Sequence, residues 1–307
     1  MPTLLQSLMS PLNAQLASTP EAPTEVAAAE DSVAPTSDAP TSEGIEAAPT
    51  EGGTEEDSEE SFDVESLRGR GAVLIPAYNE EQCLGEVLDR IRAHCPFDIV
   101  IVDDGSVDKT AKVARAHGAT VLRHPFNMGY GAALQTGYKY AAKRDYEVLV
   151  QIDADGQHDP TYIVPLARRI LEGHSDACVG SRFLIGEGYI PPLARRAGMV
   201  LFGKIASIVT HRRVTDPTSG YQALSRRVFT FFKSDLFPAD YPDADVLILL
   251  YRAGFRAEEI PVAMRASVTG QSMHGGILRP MFYVFKMLLS ICVTLLREPP
   301  DPERIPH

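Results

Sequence analysis

The sequence predicts an α/β fold, in which a mainly parallel β-sheet is flanked by helices and followed by an amphipathic helix at the carboxyl end. Two observations predict the sheet. Short apolar runs rich in β-branched residues alternate with helical segments of roughly 10–15 residues, which is typical of βαβ units. Several of these runs end in polar or acidic residues. Right-handed crossovers would bring those ends to one edge of the sheet.

The first half of the chain contains five expected strands, at residues 72–76, 97–102, 120–123, 148–152 and 176–182. The helices between them have recognisable ends. Asn79 is placed to cap the first helix and Ser106 the second, which Gly118 can end. An alanine-rich helix over residues 127–143 follows, and Asp159-Pro160 can open the next one.

The second half is less regular. It predicts a helix at 194–213, a turn-rich loop at 215–221, a helix capped by Ser225, a helix at 243–253, a strand at 257–263, a glycine-rich loop at 267–276 and a last helix at 277–297.

The first 65 residues carry most of the acidic charge. They contain 15 acidic and no basic residues, whereas the rest contains 26 acidic and 29 basic ones, so the net charge of −12 belongs to this segment. Rich in Ala, Pro, Ser and Thr, it cannot bury enough apolar surface to offset chain entropy. We expect a disordered tail at 1–66, an α/β domain at 67–276, and a helix with a short tail at 277–307. The first nine residues make a poor signal peptide; they are either a docking motif or part of a solvated tail.

Several classes of function are disfavoured by composition. The four cysteines show no metal-binding spacing, which fits free thiols in a cytosolic protein, and the eight histidines do not cluster as a zinc site would require. No basic run with interleaved aromatic residues suggests nucleic acid. A P-loop is absent. A Rossmann dehydrogenase needs three glycines directly after its first strand, where this chain has Pro76-Ala77-Tyr78-Asn79-Glu80.

Asp153 and Asp155 follow the fourth strand immediately. Carboxylates two residues apart on an extended segment project to the same side, where they can share one divalent cation. The alternative is that both are turn residues and that Asp159 is a helix N-cap. Asp103 and Asp104 end the second strand in the same way. Four carboxylates at one edge need a cation or a hydrogen-bonding ligand, because like charges repel.

The last helix has two interpretations. It is apolar over most of its surface, with a narrow polar stripe at Lys286, Ser290 and Thr294. Its uncharged stretch, residues 287–296, is shorter than the ~20 residues that span a bilayer. It is therefore either a buried core helix or a helix lying in the membrane interface, which the basic residues of the second half would support.

Six motifs, in register, resemble family 2 glycosyltransferases with the GT-A fold, in particular the branch that transfers sugars to dolichyl or polyprenyl phosphate. The six are Pro76-Ala77-Tyr78-Asn79-Glu80, Val102-Asp103-Asp104-Gly105-Ser106, Asn127-Met128-Gly129-Tyr130-Gly131, Asp153-Ala154-Asp155-Gly156-Gln157, Gly180-Ser181-Arg182 and Asp216-Pro217-Thr218-Ser219-Gly220-Tyr221.

That resemblance implies a nucleotide-sugar donor, linked to UDP, GDP or dTDP, and a site for Mg²⁺ or Mn²⁺. The implied nucleotide contacts are Pro76, Tyr78, Glu80, Asp103, Asp104, Asp153 and Arg265. The implied metal ligands are Asp153 and Asp155, with help from Gln157. The implied catalytic residues are Asp155, Arg182, Asp243 and Asp245. Arg182 and Arg265 would face the diphosphate or an acceptor phosphate.

The acceptor is the open question. A polyprenyl phosphate is already ionised and needs no base, whereas a hydroxyl acceptor does. Asp243 and Asp245 are the candidate bases, although acidic residues also favour helix amino ends for electrostatic reasons. The branch often has Ser-Lys where this chain has Ser272-Met273, and the absence of Trp disfavours processive polysaccharide synthases.

Three functions follow as hypotheses. The first is an inverting, metal-dependent transferase that acts on a lipid phosphate, peripherally bound to the cytoplasmic face of the membrane. The second is a transferase acting on a glycan or other hydroxyl. The third is a silent GT-A scaffold, against which the intact Asp153 and Asp155 pair argues.

Overall fold

The computed structural model of this protein describes residues 64–184, 193–238, 242–265 and 278–298. Residues 1–63 of the predicted tail, the loop at 267–276 and the proposed boundary at residue 276 lie outside the described residues, whereas residues 64–66 belong to a 3₁₀ turn over Val64–Leu67. These two segments and the three-part division of the chain therefore stay predictions.

A seven-stranded sheet organises the described part of the chain. Its strands are β1 (Gly71–Ala77), β2 (Asp98–Asp103), β3 (Thr120–Arg123), β4 (Val148–Gln151), β5 (Ala177–Ser181), β6 (Gln222–Ser225) and β7 (Ala257–Pro261). They lie in the order β3-β2-β1-β4-β6-β5-β7. All neighbouring pairs are parallel except those that involve β6, which runs antiparallel to both β4 and β5. The mainly parallel sheet predicted from the sequence is confirmed.

The strand β6 corrects the sequence prediction, which ended a loop at Tyr221 and began a helix after Ser225. Gln222, Ala223 and Leu224 are buried between β4 and β5. The segment has only four residues and no β-branched side chain, so nothing in its local pattern indicates a strand. Because β6 runs antiparallel, the loop that precedes it lies at the same edge as the carboxyl ends of β4 and β5.

Eight α-helices occur in the described residues: α1 (Leu84–His94), α2 (Thr110–Ala116), α3 (Tyr130–Ala141), α4 (Ile163–Leu171), α5 (Leu193–Thr210), α6 (Arg226–Phe232), α7 (Ala244–Arg252) and α8 (Leu278–Leu296). Helices α1, α2 and α4 cover one face of the sheet, while α3, α6 and α7 cover the other. In β1, Val73 and Ile75 pack on the first layer, and Ala72 and Leu74 on the second. Burial on both faces explains why the central strands β1, β2 and β4 are mostly apolar runs.

Two predicted helix caps are wrong. Helix α1 begins at Leu84 and α2 at Thr110, several residues after Asn79 and Ser106. Asn79 instead has a φ of 57°, and its N–H donates to Ser106 Oγ at 2.9 Å. Its side-chain oxygen accepts from Val107 N at 3.0 Å. The two residues therefore join the loops after β1 and β2 across the sheet edge, a long-range role that local capping rules do not reveal.

The last helix, α8, matches neither interpretation fully. Met287 and Ile291 are buried against α5 and α7, so one face belongs to the core. Phe285 is 65% exposed and Leu289 53% exposed, so an apolar face is also left open. Ser290, in the predicted polar stripe, faces the protein and donates a hydrogen bond to Asp245. None of the helices in the described ranges combines the length and hydropathy needed to cross a membrane.

Candidate functional site

The carboxyl edge of the sheet brings the first two motifs together. Pro76 is buried within β1, whereas Tyr78, just beyond the strand, is 44% exposed at the edge. Glu80 follows, with its N–H donating to Thr110 Oγ1 at 2.8 Å. The loop is thus anchored to the amino end of α2, and it presents Tyr78 and Glu80 to the space beyond the sheet. Of the predicted nucleotide contacts in this motif, these two are the accessible ones.

The acids that end β2 are engaged by protein donors. Asp103 is fully buried; it accepts from Ser106 N at 3.0 Å, and its other oxygen lies 3.0 Å from Arg123 Nε. Asp104 is buried as well, and accepts from the backbone N–H groups of Met128 and Gly129 at 2.9 and 2.8 Å. These bonds fix the turn into α3, where Gly129 has a φ of 99° that favours glycine. Both acids remain predicted nucleotide contacts, but their oxygens already hold the edge together.

His124 completes the Asp104 cluster, and the sequence analysis did not single it out. The ring is buried, with Nδ1 2.7 Å from Asp104 Oδ1 and Nε2 2.9 Å from Thr136 Oγ1 of α3. A lone histidine after a short strand carries no pattern that would have identified it.

Asp153 and Asp155 lie just beyond β4, as predicted, and each is oriented by neighbouring side chains. Asp155 accepts from both the backbone N–H and the side-chain amide of Gln157, at 3.0 and 2.7 Å. Asp153 accepts from the Tyr130 hydroxyl at 3.0 Å, and its N–H donates to Nδ1 of the buried His158 at 3.0 Å. The pair is therefore ordered by residues that flank it and by one from α3.

The electrostatics show that three carboxylates share this space. Burial, followed by the negative charge of Asp153, raises the pKa of Asp155. Burial also raises the pKa of Glu80, with further contributions from Asp155, Asp108 and Asp153, while a hydrogen bond from the Cys83 thiol opposes the rise. A positive ligand placed among Glu80, Asp153 and Asp155 would relieve this repulsion.

The donor set fits a metal that is shared with a substrate. Within the described residues, no group of three or more His, Cys, Asp or Glu side chains is arranged to enclose a metal ion. Mg²⁺ usually takes only one or two protein carboxylates and completes its shell with waters and substrate phosphates. Asp153 and Asp155 supply that number of carboxylates. The alternative from the sequence also holds in part, because Asp159 caps the 3₁₀ turn Pro160–Tyr162 through Thr161 N.

Two distant motifs form one buried cluster beside this pair. Arg182 makes two hydrogen bonds of 2.6 Å to the carboxylate of Asp216, and a third to Thr218 Oγ1 at 3.0 Å. Asp216 is fully buried, and its N–H donates to Glu259 of β7 at 2.8 Å. The predicted catalytic cation is thus held by a carboxylate of the same edge.

This cluster positions Gly220 against Asp153. A Cβ on Gly220 would lie 3.2 Å from Asp153 Oδ2 and 3.1 Å from the Tyr130 hydroxyl oxygen, closer than side chains normally pack. The glycine therefore permits the close approach of the Asp216–Tyr221 loop. Tyr221 stacks on His158, with 4.8 Å between ring centroids.

Arg265 lies beside the loop that follows Asp155. Its N–H donates to Gln157 O at 2.8 Å, and its guanidinium contacts Asp159 Oδ2 at 3.1 Å. The side chain is about half exposed. It is therefore adjacent to the predicted metal ligand Gln157 and accessible from solvent.

The structure separates the two candidate bases. Asp243, just before α7, contributes to the raised pKa of Tyr130, after burial of the phenol and the charge and hydrogen bond of Asp153. Asp245 is fully buried, accepts from the N–H groups of Asp243 and Val246, and receives a hydrogen bond from Ser290 of α8. These contacts favour a structural role for Asp245.

A cavity of about 330 Å³ lies between β5, β7 and the segment after α5, and in the described part of the chain it reaches the Arg182–Asp216 cluster only through Glu259 of β7. Its lining residues include Arg212, Arg213 and Tyr251. None of the predicted site residues lines it, so the candidate site is the open edge rather than this cavity.

Comparison with known proteins identifies the family. Residues 72–231 match the model of Glycosyl transferase family 2. The polyprenol monophosphomannose synthase of Mycolicibacterium smegmatis is 33% identical over 227 residues, covering 67% of this chain and 82% of that protein. The UDP-N-acetylglucosamine–dolichyl-phosphate N-acetylglucosaminyltransferase of Methanococcus voltae is 28% identical over 209 residues, covering 62% of this chain and 83% of that protein.

The solved structures show the same fold. Glucosyl-3-phosphoglycerate synthase from Mycobacterium tuberculosis, crystallised with Mn²⁺, UDP and glucosyl-3-phosphoglycerate, superposes with a TM-score of 0.57 at 22% identity. The match covers 77% of this chain and 84% of that one. The GT-A fold expected from the motifs is confirmed. Because the family model spans more than half of the chain, this protein belongs to glycosyl transferase family 2, and it is an enzyme that transfers a hexose.

Proposed function

We propose that this enzyme transfers a sugar from a nucleotide-sugar to a polyprenyl phosphate at a membrane surface, with inversion at the anomeric carbon and with a divalent metal ion. The observation that carries the donor half is the convergence of Glu80, Asp153 and Asp155 beside the exposed Tyr78. The relatives named for transfer to polyprenol and dolichyl phosphate support the acceptor half.

Each group at the edge has a role in this proposal. Tyr78 and Glu80 would contact the nucleoside, since they are the accessible residues after β1. Asp153 and Asp155, with Gln157, would bind the metal, and the neighbour crystallised with UDP and either Mn²⁺ or Mg²⁺ supports that assignment. When bound, such an ion supplies positive charge that makes a diphosphate a better leaving group. Arg265, which is accessible next to Gln157, would meet a phosphate of the donor or of the acceptor.

The acceptor determines whether a base is required. A phosphate nucleophile is ionised at neutral pH and attacks without one. The second candidate function, transfer to a hydroxyl, takes as its base Asp243, which immediately precedes α7 and whose charge contributes to the raised pKa of Tyr130. In that case Asp243 would accept the proton of the attacking hydroxyl.

Ligand-dependent melting tests the donor half. We expect UDP, GDP or dTDP to raise the melting temperature only together with Mn²⁺, because a ligand at 100 times its Kd stabilises the folded state by about 2.7 kcal/mol. Asp155→Ala should abolish this shift. Asp145→Asn is the matched control, since Asp145 is an exposed carboxyl just before β4, at the opposite edge. If the melting temperature of Asp155→Ala rises as much as that of the wild type, the metal assignment is ruled out.

Turnover then distinguishes the acceptors. The nucleotide-sugar that gives the largest shift is offered with polyprenyl phosphate and, separately, with the corresponding dephosphorylated polyprenol and simple glycans. Transfer to the phosphate alone supports the proposal, and in that case Asp243→Asn should retain most of its activity. Transfer to hydroxyl acceptors that is lost in Asp243→Asn would establish the second function instead.

The exposed face of α8 would provide the membrane contact. Phe285 and Leu289 project from the helix surface opposite the buried Met287 and Ile291. Phe285→Ser with Leu289→Ser should reduce the partition coefficient onto anionic vesicles by about a hundredfold or more, because each large side chain removed from the bilayer interface loses about 1.5–3 kcal/mol of burial and each 1.4 kcal/mol is tenfold. Val107→Ser, an 88% exposed apolar residue between β2 and α2, is the control. Equal sedimentation of all three proteins would contradict membrane contact through α8.

A further inference from the structure

A line of three hydrogen bonds runs from the core of the sheet to Asp153. The Tyr138 hydroxyl donates to Gln151 Oε1 at 2.6 Å. The side-chain amide of Gln151 donates to the Tyr130 hydroxyl oxygen at 3.2 Å, and Tyr130 donates to Asp153 Oδ1 at 3.0 Å. Tyr138 and Gln151 are buried, while Tyr130 lies at the site edge. The line therefore connects the interior of the molecule to one oxygen of a site carboxylate.

The direction of every bond in this line follows from simple chemistry. An ionised carboxylate only accepts, so Tyr130 gives its single hydroxyl proton to Asp153. Its oxygen must then accept from a donor, which is the NH₂ of Gln151. The carbonyl of the same amide is left to accept from Tyr138. All three protons thus point toward the carboxylate, and such aligned bonds strengthen one another.

The same line restricts how Asp153 is placed. With Oδ1 held by Tyr130, Oδ2 lies 3.8 Å from His158 Nε2, and the loop at Gly220 approaches both oxygens closely, at 3.3 and 3.2 Å from the position that a Cβ would take. Rotation of the carboxylate would break the bond to Tyr130. A binding group held this way loses little freedom when its ligand arrives.

We propose that Tyr130 is the positioning residue of Asp153, and that Gln151 and Tyr138 support it from the core. The inference rests on the proposed function, because it assumes that Asp153 takes part in binding the metal and the nucleotide. Neither tyrosine touches the ligand in this role. The line acts through the carboxylate, by setting its orientation before the ligand binds.

Binding of Mn²⁺ in the presence of UDP, GDP or dTDP, whichever stabilises the wild type most, provides the test. The Mn²⁺ dissociation constant is read from the electron paramagnetic resonance signal of the free ion, which needs no turnover. Tyr130→Phe should raise it about tenfold or more, since hydrogen bonds to charged groups are among the stronger ones in proteins. Tyr138→Phe should raise the Mn²⁺ dissociation constant less. The free energy of Mn²⁺ binding that the double variant loses should be smaller than the sum of the losses in the two single variants, because both changes lie on one line of hydrogen bonds.

The control is Tyr146→Phe. Tyr146 is also buried and also donates to a carboxylate, Asp98 Oδ2 at 2.8 Å, but it lies at the amino ends of the strands. The Tyr146→Phe variant should be less stable than the wild type, with an unchanged Mn²⁺ dissociation constant. In steady-state kinetics, Tyr130→Phe should raise KM for the donor by more than it lowers kcat.

Two results would overturn the inference. If Tyr130→Phe binds Mn²⁺ within twofold of the wild type while Asp155→Ala does not bind it, the line has no positioning role and the proposed function stands. If the wild type binds no Mn²⁺ with any of the three nucleotides, the proposed function fails and the inference fails with it.

Discussion

Arg182 and Asp216 are the most enclosed ion pair at the site edge. Both side chains are nearly or fully buried, and the guanidinium makes two parallel hydrogen bonds to the carboxylate. In a buried pair the two charges compensate for each other's lost hydration, and removal of one partner leaves the other without that compensation. Arg70 and Glu147 make a similar two-bond pair in which both side chains are substantially exposed. The two pairs share their chemistry and differ in solvation.

Alanine variants of the two carboxylates should therefore differ in stability. We expect Asp216→Ala to lower the free energy of unfolding by about 3–5 kcal/mol, because the buried Arg182 loses the carboxylate that compensates its charge. Glu147→Ala should cost at most about 1 kcal/mol, since water replaces the carboxylate. Urea unfolding measures both. Equal losses would show that burial does not determine the strength of the Arg182 pair.

Helix α8 packs on α7 through an apolar interface that contains a buried polar contact. Ser290 donates to Asp245 in a contact surrounded by the cluster that contains Ala244, Leu247, Met287 and Ile291. Burial raises the pKa of Asp245, and the hydrogen bonds from Ser290 and the backbone reduce that rise. The attachment of the exposed apolar helix thus depends on a titratable group.

The sign of the resulting pH dependence follows from linkage. A carboxyl with a raised pKa holds its proton more tightly in the folded state, so unfolding releases it. The stability that it contributes is complete below the unfolded pKa of about 3.9 and is lost as the pH rises through the folded pKa. Asp245→Asn cannot titrate, so its free energy of unfolding relative to the wild type should be higher at pH 8 than at pH 4.

Ser290→Ala should change the pH dependence of stability in the opposite direction to Asp245→Asn. It removes a hydrogen bond that lowers the pKa of Asp245, so it should make the fall in stability with rising pH steeper. Urea unfolding across this range measures both variants. If the difference in free energy of unfolding between the wild type and Asp245→Asn is constant from pH 4 to pH 8, Asp245 does not contribute to the pH dependence of stability.

At the scale of the whole molecule, charge is divided unevenly along the chain. Residues 1–63 contain 14 acidic and no basic residues, and the chain from Val64 onward contains 27 acidic and 29 basic ones. The part that carries the site is therefore slightly basic, although the complete chain has a net charge of −12. Acidic residues near an anionic membrane oppose the attraction of basic ones, each of which is worth roughly 1 kcal/mol at the surface.

Deletion of residues 1–63 should therefore strengthen binding to anionic vesicles and leave binding to neutral vesicles unchanged. This gain in affinity for anionic vesicles should shrink as salt is added, because screening shortens the range over which the membrane attracts basic residues and repels acidic ones. Vesicle co-sedimentation at low and high salt measures it. Identical affinities of the full and shortened chains at low salt would contradict an electrostatic effect of the tail.

Much of the architecture was predictable from local patterns. Six of the seven strands were predicted. Strands β1, β2 and β4 are apolar runs because the sheet is covered on both faces there, and the acids that mark its carboxyl edge follow two of those runs, β2 and β4. β6 was not predicted, because a four-residue strand is identified by its neighbours β4 and β5 rather than by its own side chains. The caps at Asn79 and Ser106 were wrong for a related reason: each side chain bonds to the other loop.

Short segments of the chain were enough to predict the α/β class, the family and the acidic residues that would meet at one edge, since strand periodicity and strand-end chemistry are local properties. What each of those residues contacts depends on the tertiary structure. Tyr130 is 23 residues from Asp153 in the chain, and Arg182 is 34 from Asp216, yet each pair is hydrogen-bonded. Such contacts depend on how the strands are ordered in the sheet. That order, with β6 inserted between β4 and β5, places Gly220 and Tyr130 next to Asp153.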